Sequence, residues 1–133
     1  MNISVGSELP PIAYTPSRVQ LFRFSAVTWN SHRIHYDEAY ARSEGHADVV
    51  VQSTLRGEQL LGVVRSWLGD RGEIRSFEWR NLLPAHPDQT VTCRGTVVAL
   101  DGDLVRITLE ARGPDGDVVT SGSAWASVVA TGR

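Results

Sequence analysis

The side chains best suited to moving protons are concentrated in one stretch, Thr28-Trp29-Asn30-Ser31-His32-Arg33-Ile34-His35-Tyr36-Asp37, which holds two of the chain's four histidines. An imidazole has an ordinary pKa of about 6.5 and so exchanges protons near neutral pH, which makes His32 and His35 candidates for acid–base work. The same residues can equally satisfy backbone groups or face solvent, and spacing alone leaves both readings open. Their three-residue separation fits a metal pair, but no third ligand follows at a recognisable distance, so no metal is expected. Arg33 can meet a carboxylate or phosphate of a ligand, or form a salt bridge with Asp37 or another acid. His46 and His86 are expected in solvent-facing loops.

Positioning these residues requires a scaffold, and hydrophobic periodicity supplies one. Val19 to Thr28 places Val19 and Leu21 on one face and Phe22 and Phe24 on the other, which predicts a strand buried on part of both sides. Ser53 to Leu68 carries Leu60, Leu61, Val64, Trp67 and Leu68 at three- and four-residue spacing, the stripe of a helix. Ser53 or Thr54 is its expected N-cap, and Gly69-Asp70 its stop. After Gly72 the period becomes two. Ile74 to Leu82, Gln89 to Leu100, Leu104 to Arg112 and Val118 to Val129 read as strands, with turn chemistry at Asp101-Gly102-Asp103 and Gly113 to Asp117. Leu83 to Asp88, with Pro84 and Pro87, reads as a loop. The order predicts an α+β domain in which an antiparallel sheet wraps a long helix. Gly57 and Gly62 inside that helix imply tight packing on the sheet. Trp67, Trp79 and Trp125 read as core or subunit contacts, and Cys93 as a small core residue.

Composition limits the partners. The 133 residues hold thirteen arginines, no lysine and fifteen acids, for a net charge of -2. Binding along a phosphate backbone wants a basic excess, so no nucleic acid is expected, and Schiff-base or lysine-base chemistry is excluded. There is no apolar run of membrane-spanning length, and Met1 to Pro11 has neither the basic patch nor the apolar core of a signal peptide. One cysteine gives no disulfide framework. These features give a cytoplasmic expectation without membrane association.

The stretch from Phe24 to Asp37, followed by Ala39, Ala41 and Val50-Val51-Gln52-Ser53-Thr54-Leu55, resembles the hydratase signature of MaoC-like proteins, in the branch reading T-x-N-x-H-R-I-H-Y-D. Ile74 to Arg80 and the strands after it resemble that branch too, so the likeness covers nearly the whole chain. It implies that residues 1–133 form a single hot-dog domain, a curled antiparallel sheet around a long central helix, which pairs with itself or with another hot-dog chain. It also implies interconversion of a 2-enoyl thioester of coenzyme A or acyl carrier protein with its 3-hydroxyacyl thioester, without a cofactor. By the resemblance His35 is the catalytic histidine, and Asn30 stands where the general form has a catalytic aspartate. A neutral carboxamide cannot be a base, so Asn30 is expected to orient the water while His35 carries the proton. Backbone N–H groups near Ser53 and Thr54 are implied to polarise the thioester carbonyl. Gln52-Ser53 stand where that branch reads His-Gly, and a hydroxyl there either crowds the thioester or donates to it. Trp29 is a candidate for the acyl pocket, while His32 is read as either supporting His35 or positioning substrate.

Two other functions fit the same residues. The chain can be one subunit of a heteromeric hydratase, complementing a second MaoC-like chain, or a non-catalytic thioester-binding or cyclisation protein on this fold. A thioesterase is less well supported, because Glu58 is the nearest acid in the early helix and no motif surrounds it.

Overall fold

The computed structural model describes residues 3–129. The elements run β1 (Ile12–Tyr14), α1 (Arg18–Val27), a 3-10 turn (Arg33–His35), α2 (Glu38–Ser43), α3 (Ser53–Leu68), β2 (Gly72–Asn81), β3 (Val91–Asp101), β4 (Leu104–Arg112) and β5 (Val118–Val128). The five strands form one antiparallel sheet in the order β1-β3-β4-β5-β2. Strands β3 to β5 make the expected meander, while β2 lies at the far edge beside β5. Register breaks at Ile74/Ser76, Val97/Ala99 and Ala111/Arg112 add local bends of the kind that curl a sheet around a helix. This is the hot-dog architecture.

Helix α3 has the bounds its stripe predicts, and it ends on Gly69 in a left-handed conformation at φ 55°. Its start differs from expectation. Gln52 is the N-cap and makes no capping bond with its side chain, while Ser53 and Thr54 are already helical. Leu60, Val63 and Val64 of α3 pack against Val97, Val105, Ile107, Leu109 and Ala124 of the sheet, burying the helix face on the concave side. Each such side chain contributes about 1.5–3 kcal/mol by leaving water. Gly57 is required for close approach, because a Cβ there would lie 2.7 Å from Trp79 Cε2. Cys93 is buried in this core, and burial pushes its thiol up to about 12.

The predicted strand at Val19 to Thr28 is instead the helix α1. Ser17 caps it by accepting from the Gln20 N–H at 3.0 Å. The inward positions Leu21 and Ser25 are four apart, as a helix face demands. The strand reading failed because the outer face also carries apolar residues. Phe22 (60% exposed), Val27 and Val19 all lie in solvent, which erases the 3.6-residue stripe. A second apolar cluster of Leu21, Ala41, Val49, Val51, Leu55 and Ala85 joins α1, α2 and the start of α3. No helix among the described residues is long and apolar enough to cross a membrane.

Candidate active site

The site is built where α1, the 3-10 turn and the start of α3 meet, and residues 49–52 hold the three together. The Val50 N–H donates to Ile34 O at 2.9 Å, and the Val51 N–H donates to Ala85 O at 2.8 Å. His86 Nδ1 lies 2.9 Å from Val49 O. His35 Nδ1 lies 2.8 Å from Val50 O. A carbonyl oxygen only accepts, so Nδ1 carries the hydrogen in His35 and its Nε2 keeps a lone pair. The ring is 7% exposed, and burial lowers its pKa, opposed by the Val50 bond and assisted by His32. A buried neutral imidazole with a free Nε2 is the protonation state a general base requires.

Asn30 follows Trp29, whose φ of 60° turns the chain sharply after α1. The Asn30 N–H donates to Ser25 O at 2.9 Å, and its Oδ1 accepts from the His32 N–H at 3.3 Å. The carboxamide is thus anchored through oxygen, leaving Nδ2 as the donor available to a ligand. His32 caps the 3-10 turn, its Nδ1 accepting from the Ile34 N–H at 3.3 Å, and its ring centroid is 6.0 Å from that of His35. Asn30 is therefore tied to His32, and the His32 ring in turn stands near that of His35.

The other predicted residues are placed differently. Arg33 is committed to Asp37 at 2.7 Å and lies over the Tyr40 ring, with its centroid 4.6 Å away, which is the salt-bridge alternative. That contact lowers the pKa of the Asp37 carboxyl, helped by the Tyr40 N–H. Trp29 is 93% exposed and shares with Asn30, Phe22, Ser25 and Tyr36 an open hollow of about 480 Å³, whose lining does not include His35. Gln52 is fully buried and turned into α1, donating from Nε2 to Leu21 O at 2.6 Å and to Ser25 Oγ at 2.9 Å, while its Oε1 has no partner. Ser53 Oγ accepts from Asn81 Nδ2 at 2.7 Å, and Thr54 is exposed. His46 and His86 are half-buried, not solvent-facing as expected. His86 is drawn in by Val49 O.

The family model for hydroxyacyl-thioester dehydratase type 2 matches residues 7–87, which carry all of these groups except Asn81's sheet partners. The chain belongs to this family, within the MaoC-like hot-dog proteins. Among curated relatives, the mesaconyl-C(4)-CoA hydratase of Chloroflexus aurantiacus is 36% identical over 121 residues, 86% of this chain and 41% of the relative. This family member therefore spans less than half of that protein's length. Among solved structures, the (R)-hydratase of A. caviae involved in PHA biosynthesis superposes with a TM-score of 0.88 at 19% identity, covering 95% of this chain and 97% of that one. A chain of the ChsH1-ChsH2 complex of Mycobacterium tuberculosis gives 0.87 at 22%, covering 94% and 98%. These two likenesses establish the hot-dog fold of this chain.

Two buried polar residues of the helix, Arg56 and Gln59, escaped the sequence reading. Arg56 stands four positions before Leu60, in register with the apolar stripe, and is buried there. A charged residue on an apolar helix face was the signal.

Proposed function

We propose that the chain catalyses reversible hydration of a 2-enoyl thioester of coenzyme A or acyl carrier protein, as a hydro-lyase. The observation that carries this reading is the orientation of His35, held by Val50 O three residues before α3 begins. In the hydration direction Nε2 takes a proton from water as the water oxygen bonds to C3. The C2=C3 electron pair moves toward the thioester, giving an enolate, and the proton returns from His35 to C2. Asn30 Nδ2 donates to the oxygen at C3, steadying the water on the way in and the departing hydroxyl in reverse. The enolate oxygen is stabilised by the first amides of α3. With no side-chain cap from Gln52, the N–H groups of Ser53 and Thr54 have no intrahelical acceptor and carry the positive end of the helix dipole.

The test is hydration of a panel of trans-2-enoyl-CoA thioesters, followed as loss of the conjugated enoyl absorbance, with His35→Ala as control. Turnover abolished in a folded control supports the assignment; equal turnover in parent and control rules it out.

A second reading has its own support, namely a chain that works beside another hot-dog chain. The chain spans 41% of its hydratase relative, and one structural neighbour comes from a complex of two proteins. The outer face of α1, with Phe22 and Val27 in solvent, and Trp29 just beyond its end offer apolar surface that a neighbour can cover. Co-purification with a second MaoC-like chain, and activity only in its presence, would favour this reading over a self-sufficient cytoplasmic homodimer.

A further inference from the structure

Ser25 carries a buried donor for which the chain supplies no acceptor. It stands in the last turn of α1, is 6% exposed, and lines the open hollow of about 480 Å³ beside Asn30. Gln52 Nε2 lies 2.6 Å from Leu21 O and 2.9 Å from Ser25 Oγ. A carbonyl oxygen only accepts, so the amide nitrogen is the atom that must stand there, and both of its hydrogens are engaged. Ser25 Oγ therefore accepts from Gln52, and its own hydrogen is left to be donated elsewhere. Among the described residues it meets no acceptor. A buried donor without a partner is costly, so such a hydroxyl on the wall of a hollow signals an acceptor atom brought by a ligand.

The rest of the hollow identifies that atom. Phe22 meets Tyr36 edge to face with ring centroids 6.1 Å apart, and the Tyr36 hydroxyl is already engaged, donating to Ser31 O at 2.7 Å. Among the described residues no carboxylate, guanidinium or imidazole lines the hollow, so the atom received is a neutral oxygen or one that gains charge only in passing. Asn30 Nδ2 is the neighbouring donor, and the two residues are clipped together, the Asn30 N–H donating to Ser25 O at 2.9 Å. We infer that Ser25 is a further catalytic residue, its hydroxyl joining Asn30 Nδ2 as a second donor to the oxygen at C3. This rests on the hydratase reading for the placement of that oxygen. In hydration the water gives a proton to His35 Nε2 as its oxygen bonds to C3. In reverse the C3–O bond breaks, its electron pair leaves with the oxygen, and His35 returns the proton to make water. Ser25 keeps its own proton in both directions. Its hydrogen bond strengthens as negative charge gathers on the departing oxygen, and the bond from Gln52 polarises the hydroxyl for that role. The acyl carbons beyond C3 then lie against Phe22, Trp29 and Tyr36, in agreement with a hollow that His35 does not line.

Binding of acetoacetyl-CoA and butyryl-CoA tests this without turnover. Neither can be hydrated or dehydrated, and they differ only in a ketone oxygen at C3. The parent protein is expected to bind acetoacetyl-CoA about tenfold more tightly or better. Ser25→Ala should lose most of that preference while binding butyryl-CoA as the parent does. Crotonyl-CoA has no oxygen at C3, so in its hydration the same variant should lose about tenfold in kcat at unchanged KM, a split that a general loosening of α1 would not give. Ser25→Cys, whose thiol is only a weak donor, gives the same comparisons if the alanine variant does not fold. Equal affinity of the parent for the two thioesters overturns the inference, as does a variant with parental preference and kcat; in either case hydration by the parent leaves the hydratase reading standing. A variant that weakens both thioesters alike also overturns it, assigning Ser25 to the carrier arm or to structure. If the preference and its loss are seen while the parent hydrates no enoyl thioester, the donor site stands and the hydratase reading fails.

Discussion

Replacing His35 by asparagine separates the chemistry of the imidazole from its place in the fold. The asparagine carboxamide nitrogen falls close to where Nδ1 stands, so the bond to Val50 O, 2.8 Å in the parent, can be kept while Nε2 is removed. Loss of a general base costs typically 10²- to 10⁴-fold, or about 3–5.5 kcal/mol of barrier. Stability should fall by only about 1–2 kcal/mol, the cost of a small void at a buried position whose hydrogen bond survives. The pH profile gives an independent check. Burial holds the His35 pKa below the ordinary imidazole value, so the acid limb of kcat/KM should have its midpoint below about 6.5. The sign for stability follows from proton uptake. As pH falls through the ordinary value the unfolded chain binds a proton that the folded chain refuses. The stability contributed is therefore complete above that value and is lost as pH falls through the folded pKa. The assays are enoyl-CoA hydration and urea denaturation across pH 5 to 8, for parent and variant. A variant with parental kcat/KM, or an acid limb that survives unchanged in the variant, would refute the role given to Nε2.

Three further predictions concern the scaffold. Gly57→Ala would bring a methyl within 2.7 Å of the Trp79 ring, which is itself stacked on Phe77 at 5.4 Å. Overpacking of about 1–3 kcal/mol should outweigh the helix-propensity gain of about 1 kcal/mol, lowering the urea midpoint, and Trp79→Leu in the same chain should restore part of it. A midpoint raised by Gly57→Ala alone would show that the ring gives way freely. Cys93 should resist iodoacetamide at pH 8 in the folded protein and react at once in denaturant, because its thiol is pushed up to about 12; equal rates in both states would contradict its burial. Gln52→Leu removes both bonds to α1, at Leu21 O and Ser25 Oγ, and leaves these groups buried without their partner. It should cost about 1–3 kcal/mol in urea denaturation and lower turnover more than substrate affinity, since Ser25 also positions Asn30. Parental turnover and stability would show that the α1 tether is dispensable.

The sheet and the central helix were legible because their patterns are local. Strands β2 to β5 each run nine or more residues, with inward and outward positions alternating along most of β3 and β4, and α3 carries a stripe bounded by a glycine. Helix α1 was not legible, since Val19, Phe22 and Val27 face water and its inward side is narrow. Strand β1 is three residues long, too short for a period to register. For the site, the motif singled out His35 and Asn30 as candidates, and in the structure His35 closes the 3-10 turn that His32 caps. The place of Gln52 was hidden because it depends on a residue thirty-one positions earlier, Leu21, which no local pattern links to it. Arg56 was visible only as a break in the apolar stripe.

The four residues Val49 to Gln52 are neither helix nor strand, yet nearly every group they offer is used. Val49 O holds His86, Val50 holds both Ile34 and His35, Val51 holds Ala85, and Gln52 holds α1 before becoming the cap of α3. Buried backbone outside regular structure must find tertiary partners, and here those partners are the pieces of the site. The proposed base His35, the α1 residue Ser25 that holds Asn30, and the first amides of α3 are therefore tied to one short segment, whose three valines are buried. On the hydratase reading proposed above, this segment is the element on which the preorganisation of the three groups depends.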